Sequence, residues 1–339
     1  MATQIHQTIF HWLAHRFLMS KSLSLLLLAI VIGGCAKTPV SVRPLDELYP
    51  IRFEEVKTKT LMTDFNLTAF RVWGETSPGA ADVFDGVEVT GMDPDEYGRM
   101  DNWVYEGDKY WLSEKTYDFY AVSPKSMSLV YSSGDYTFDY TMPDNISTDL
   151  EQDSGHVDVI AAYHSRRTGS MTQTPPVINL DFEHKLTRVN IKLSKAAMNN
   201  SHNMNVKNVY LWGMKKKGAY KFASGWSVYD ETGAVSLTDI DVALPDNEVP
   251  VTIGGILAVP QIISADQVYL LVEYTYTHGS NTSTKILSSP LPVDAVPEWT
   301  AGNSLTYSAV LSVEQDIRFD TPEVEPWGSE QVGGTIIIR

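Results

Sequence analysis

Alternation of apolar and polar residues at period two is the feature that most restricts what this 339-residue chain can fold into. Val268, Leu270, Val272, Tyr274 and Tyr276 share one face of a segment whose other face carries Glu273, Thr275 and Thr277. Leu305, Tyr307, Ala309, Leu311 and Val313 stand opposite Ser304, Thr306, Ser308 and Ser312 in the same way. Successive side chains on a strand point to opposite faces, so both segments read as half-buried strands. Shorter examples are Ile51 with Phe53, and Leu67, Ala69 and Arg71 against Thr68, Phe70 and Val72. Turn signals recur between them: Ser77-Pro78-Gly79, Ser133-Gly134-Asp135, Ser224-Gly225, Thr232-Gly233 and His278-Gly279-Ser280. Beyond residue 34 no segment sustains helical periodicity, although Ser194 to Asn200 has room for a turn or two. Many short strands with frequent turns predict an all-β sandwich fold.

One segment breaks the rule. Ile178, Leu180, Phe182, His184 and Leu186 are even-numbered, whereas Val189, Ile191 and Leu193 are odd. A one-residue slip moves every side chain to the other face, so a β-bulge or short helical turn at Lys185 to Arg188 is expected. The polar stretch from Ser165 to Pro176, ending in Pro-Pro, is the expected domain boundary. The chain then divides into residues 51–175 and 176–339, each long enough for its own core.

The N-terminus is different in kind. Leu23 to Ile32 is an almost unbroken apolar run, preceded by Arg16 and Lys21 and followed by Gly33-Gly34-Cys35. A membrane-spanning helix needs about 20 apolar residues. The run is much shorter and has the form of a signal-peptide core, which assigns residues 1–34 to a signal peptide. Ile32-Gly33-Gly34-Cys35 resembles a bacterial lipobox. By that resemblance Cys35, the only cysteine in the chain, becomes the lipidated first residue after cleavage. Residues 35–50, rich in Pro, Ser, Thr and charge, read as a tether.

Charge and composition remove several classes of function. Residues 1–34 contain Arg16 and Lys21 and no acid, so the chain from Cys35 on has 24 basic and 42 acidic residues, net −18. Nucleic acid is an unfavourable partner for such a surface. A single cysteine leaves no disulfide framework and no multi-thiolate metal site. Asp93, Asp95 and Gly98 echo a calcium loop, but Tyr97 and Val104 occupy positions that need carboxylates. No metal or cofactor is expected. The five histidines after residue 34 have no metal-ligand spacing, and His184 reads as a hydrogen-bonded core histidine. No nucleophile elbow, P-loop or dinucleotide fingerprint is present, and pairs such as Asp239 and Asp241 are common by chance among 42 acids. These absences point away from an enzyme. Trp103, Trp111, Trp212, Trp226, Trp299 and Trp327 read mostly as packing residues, with sugar-stacking platforms such as Trp103 and Trp111 as the competing use.

Three motifs now carry a family resemblance. Phe182-Glu183-His184-Lys185-Leu186-Thr187-Arg188-Val189-Asn190-Ile191 resembles the F-x-H-x-L-x-x-V-x-I strand of the fimbrillin family, subunits of type V pili. Ile256 to Gln261 is similar to that family's apolar strand ending in Pro-Gln, and Trp299 to Tyr307 to its W-x-x-G-x-x-x-x-Y segment. The tail from Val324 to Trp327 and from Gly333 to Ile338 is also family-like.

The resemblance implies two tandem transthyretin-like β-sandwich domains in a pilus subunit or pilus-related adhesin. It also implies export as a lipoprotein, attachment to the outer membrane through Cys35, and residence in the cell-surface fimbrium. In that family a protease cuts after a basic residue beyond the first strand, and a neighbour's extended segment fills the groove left behind. The removable strand here would be about Pro50 to Thr58, cut after Lys57 or Lys59. No arginine follows until Arg71, so the alternative is an uncut, lipid-anchored subunit. The donor would be Thr335, Ile336, Ile337 and Ile338, each isoleucine contributing roughly 1.5–3 kcal/mol on burial. An ordinary last strand of its own domain is the competing reading of that tail. The implied partners are other pilus subunits through strand exchange, the outer membrane, and host or bacterial surface ligands. The rival function is a surface glycan-binding lipoprotein that never polymerises.

Overall fold

The structure, a computed structural model, describes residues 49–58, 67–77, 81–95, 100–147, 157–168, 177–313 and 317–327. Cys35, Lys59 and the segment Thr335, Ile336, Ile337 and Ile338 lie outside them. Ten strands precede the parity change: β1 (Phe53–Thr58), β2 (Ala69–Ser77), β3 (Ala81–Pro94), β4 (Met100–Tyr105), β5 (Thr116–Ser123), β6 (Val130–Ser132), β7 (Asp135–Thr141), β8 (Asn145–Ser147), β9 (Ile160–Arg167) and β10 (Ile178–His184). Fourteen follow it: β11 (Thr187–Lys195), β12 (Asn203–Lys215), β13 (Lys217–Lys221), β14 (Gly225–Val228), β15 (Thr232–Thr238), β16 (Val242–Leu244), β17 (Val251–Ala258), β18 (Gln261–Ile262), β19 (Tyr269–His278), β20 (Asn281–Pro290), β21 (Glu298–Trp299), β22 (Asn303–Leu311), β23 (Arg318–Phe319) and β24 (Glu323–Pro326). The only helical piece among the described residues is one 3-10 turn at Ala197–Asn199, inside the stretch expected to hold a turn. The all-β expectation holds.

The first half is built on a seven-stranded sheet in the order β1-β10-β9-β5-β2-β3-β4. Every neighbouring pair in it is antiparallel except β1 with β10, which run parallel. Its core is rich in rings, among them Phe53, Phe70, Phe84, Trp103, Phe119 and Phe182. The second half stacks a five-stranded sheet (β17-β11-β22-β23, with β24 also on β22) against a six-stranded one (β20-β19-β12-β15-β8, with β16 on β12). Its core is mainly aliphatic, with Tyr274, Trp299 and Tyr307 as its fully buried rings. Leu270, Val272 and Tyr274 of β19 and Leu305, Tyr307, Ala309 and Leu311 of β22 are buried, as their alternation requires.

The parity change has a definite cause. β10 buries Ile178, Leu180 and Phe182 against the first core, while β11 buries Val189, Ile191 and Leu193 against the second. Neither a bulge nor a helical turn joins them. A bend at Lys185–Leu186 hands the chain from one sheet to another: Lys185 N donates to Val159 O (2.8 Å), and Leu186 O accepts from Gly302 N (2.9 Å). The change of sheet therefore falls after His184, beyond the polar stretch ending at Pro176. The halves also interleave, because β7 pairs with β13 and β8 with β15, so residues 135–147 serve layers of the second half.

Candidate functional site

The candidate site is the seam where β1 closes the first sheet. The sequence Tyr49-Pro50-Ile51-Arg52-Phe53 sends Ile51 and Phe53 to the same face, and both are buried. The Phe53 ring sits 5.7 Å from Phe70, 5.7 Å from Phe84, 6.0 Å from Tyr105 and 6.3 Å from Phe119. Edge-to-face and tilted rings at such spacings each add about 0.5–1.5 kcal/mol to area burial.

Backbone bonds hold this segment on both sides. On one side β1 runs parallel to β10, with Arg52 O accepting from Ile178 N (3.3 Å). On the other, Ile51 N donates to Lys109 O (2.8 Å), Tyr49 O accepts from Trp111 N (2.9 Å), and the Tyr105 hydroxyl donates to Ile51 O (2.7 Å). Burial pushes the Tyr105 phenol above its ordinary value, so it remains a neutral donor. Among the described residues β1 itself pairs only with β10, at the edge of the sheet, while residues 49–51 ahead of it bond to the 105–111 side, and the two ends of the sheet come close together. Lys57 is near the end of β1, level with Asp181 of β10.

The family-like motifs meet at a second place, the junction of the two halves. His184 is buried, its Nδ1 is 2.5 Å from Asp158 Oδ2, and its ring stacks on Trp327 at 4.0 Å. Trp327 N donates to Gly302 O (2.8 Å), and Trp226 Nε1 donates to Lys185 O (2.6 Å). In the Pro-Gln motif the Gln261 amide takes the place of a strand partner, accepting from Lys215 N (2.8 Å) and donating to Lys215 O (2.9 Å). Trp299 Nε1 donates to Tyr307 Oη (3.1 Å), joining both ends of the W-x-x-G-x-x-x-x-Y motif inside the core. These motif residues build the junction and cores. His184 is the hydrogen-bonded core histidine expected, and its partner Asp158 carried no sequence signal.

Trp103 and Trp111 are 7% and 3% exposed and belong to the first core, so neither offers a face to a sugar. Among the described residues no cluster of three metal-ligating side chains occurs, and no helix is long and apolar enough to cross a membrane. Sequence reasoning marked the first strand but missed the Tyr105 hydroxyl and the 109–111 backbone that close it. The only signal was the alternation of Tyr49, Ile51 and Phe53.

The family-like motifs of this all-β chain build strand seams and core contacts. The chain matches the family described as fimbrillin-like over residues 58–327 and belongs to that family. Its fold resembles a fimbrial protein from Bacteroides vulgatus with a TM-score of 0.63 at 14% identity, covering 81% of this chain and 99% of that one. It also resembles candidate cell adhesion proteins from Bacteroides ovatus (0.54, 16% identity, 84% and 99% covered) and Bacteroides uniformis (0.51, 13%, 84% and 100%). No curated protein sequence gives a match. Membership in this family makes the chain a pilus-related subunit of the cell-surface fimbrium, with other pilus subunits as partners, and not an enzyme.

Proposed function

We propose that the chain is exported as a lipoprotein through Cys35 to the outer membrane and polymerises by strand addition at the β1 seam. Loss of the segment up to Lys57 or Lys59 removes Ile51 and Phe53 from the first core and frees the edge of β10. An incoming strand restores both at once, its backbone pairing with β10 and its alternate side chains entering the space beside Phe70, Phe84 and Phe119. Thr335, Ile336, Ile337 and Ile338 of a neighbour supply that strand, leaving its own fold beyond Trp327. The two-domain organisation is retained in this reading, each domain a transthyretin-like sandwich. The observation that carries the proposal is the placement of β1 as a short parallel edge strand with Phe53 as its plug.

Deleting residues 335–339 tests it. The truncated chain is expected to fold as a monomer and to lose the ladder of SDS-resistant oligomers. Polymers of undiminished length from the truncated chain would refute the donor assignment. The residue at which the surface-purified protein begins, read by mass spectrometry, separates an uncut anchor (lipidated Cys35) from a processed subunit (just past Lys57 or Lys59).

A further inference from the structure

The second face of the first sheet carries a row of carboxylates beside a row of rings, which is buried at Trp73 and Tyr136 and open to solvent at Tyr163 and Tyr131. Register sets Asp82 opposite Glu75 across β3 and β2, and Glu75 opposite Asp118 across β2 and β5. Like charges directly opposite on neighbouring strands destabilise a sheet. No lysine or arginine among the described residues ion-pairs with any of the three. Burial, with the charges of Asp82 and Asp118, holds the Glu75 carboxyl above its usual value. Arg167, one row further along, makes no ion pair among the described residues either.

Two residues along the same face, register aligns Trp73, Tyr120 and Tyr163. The Tyr120 ring lies 5.1 Å from Tyr163, 4.6 Å from Tyr136 and 5.1 Å from Phe222, and Tyr136 lies 5.1 Å from Tyr131. Tyr163 is 53% exposed and Tyr131 57%. The Tyr163 hydroxyl donates to Asp118 Oδ1 (2.7 Å), which ties the ring row to the carboxylate row. Gly86 makes room beneath: its φ is +63°, and a Cβ there would meet Trp73 Cζ2 at 3.0 Å. Asp135, at the start of β7, is occupied within the fold, its two oxygens accepting from Tyr136 N (2.8 Å) and Ala223 N (2.9 Å).

We propose that these paired rows are a docking site for an arginine- or lysine-bearing extended segment of a partner protein. A guanidinium or ammonium group stacks on exposed ring faces and bonds to the carboxylates beside them, and neutralising the row relieves its internal repulsion. A neutral sugar would use the rings and gain nothing from three uncompensated carboxylates. A bare divalent ion would use the carboxylates and leave the rings idle. Charge complementarity therefore favours the basic segment.

Calorimetric titration of the full chain with the peptide acetyl-Gly-Arg-Gly-Arg-Gly-amide, at low ionic strength, tests this. Saturable binding that weakens with salt is expected, falling about tenfold or more in Glu75→Gln and in Tyr163→Ala. Tyr163→Phe, which keeps the ring, is expected to retain most of the binding. Glu75→Gln is expected to keep or raise the melting temperature, because it removes a like-charge neighbour, so its loss of binding cannot come from unfolding. Absent binding, equal binding by wild type and both variants, calcium saturation unaffected by Tyr163→Ala, or an oligosaccharide bound equally by Glu75→Gln would each overturn the proposal.

Discussion

The two halves of this molecule solve the same packing problem with different materials. The first half fills its core with interlocking rings around Phe53, and the strand that carries Phe53 joins its sheet at an edge and in parallel. The second half fills its core with Val, Leu and Ile from two stacked sheets, and its central strand β11 is hydrogen-bonded on both sides, to β17 and β22. A core of aliphatic side chains spread over many paired strands has no single keystone. A core of rings around one edge residue does, and losing that residue leaves a large, shaped, apolar space. The difference confines the proposed strand replacement to the first half.

The largest expected effect follows from that contrast. Phe53→Ala should cost about 3–5 kcal/mol of unfolding free energy in denaturant titration and speed proteolysis within β1. Leu270→Ala in the second core should also destabilise, by about 2–5 kcal/mol, without exposing that segment. Equal proteolytic sensitivity in both variants would erase the distinction between the halves. Next comes Asn190, buried on β11, whose Nδ2 donates to Ser304 Oγ (3.0 Å) and whose Oδ1 accepts from Arg188 Nε (3.2 Å). Asn190→Ala removes both hydrogen bonds and should cost about 1–3 kcal/mol.

The smallest effect is a pH dependence confined to the first half. His164 of β9 is held below its ordinary pKa, mainly by burial and then by Arg166, with Asp181 opposing. Folding therefore favours the neutral imidazole. Its contribution is complete above the unfolded value of about 6.5 and is lost as the pH falls through and below it. Thermal melts of His164→Gln should lose that part of the decline between neutral pH and about pH 5.5, while substitutions in the second core leave it unchanged.

The strands were readable from the sequence where one face meets a core and the other meets water, as in β19 and β22. The parity change at Leu186 to Val189 marked a real break, but period two alone cannot say whether a chain bends within one sheet or moves to the next. Residues of β10 alternate in the same way whichever sheet receives them. Partners such as Asp158 with His184, or Tyr105 with Ile51, lie far apart in sequence and have no local signature. Trp103 and Trp111 illustrate the same limit: exposure depends on which strands cover a ring, and only the assembled sheet decides that.

The central claim is that a neighbour's C-terminal isoleucines take the place of β1 beside β10. The chain has a single native cysteine, at position 35, so engineered pairs report cleanly. Asn179 is exposed on β10, level with Glu55 of β1. Chains carrying Asn179→Cys should be assembled with chains carrying Ile336→Cys or Ile337→Cys, oxidised, and mapped by mass spectrometry. An intermolecular disulfide joining position 179 to 336 or 337 in the polymer is the predicted result. With both substitutions in one chain, a bond formed only within that chain, or polymers with no such bond at either position, would contradict it.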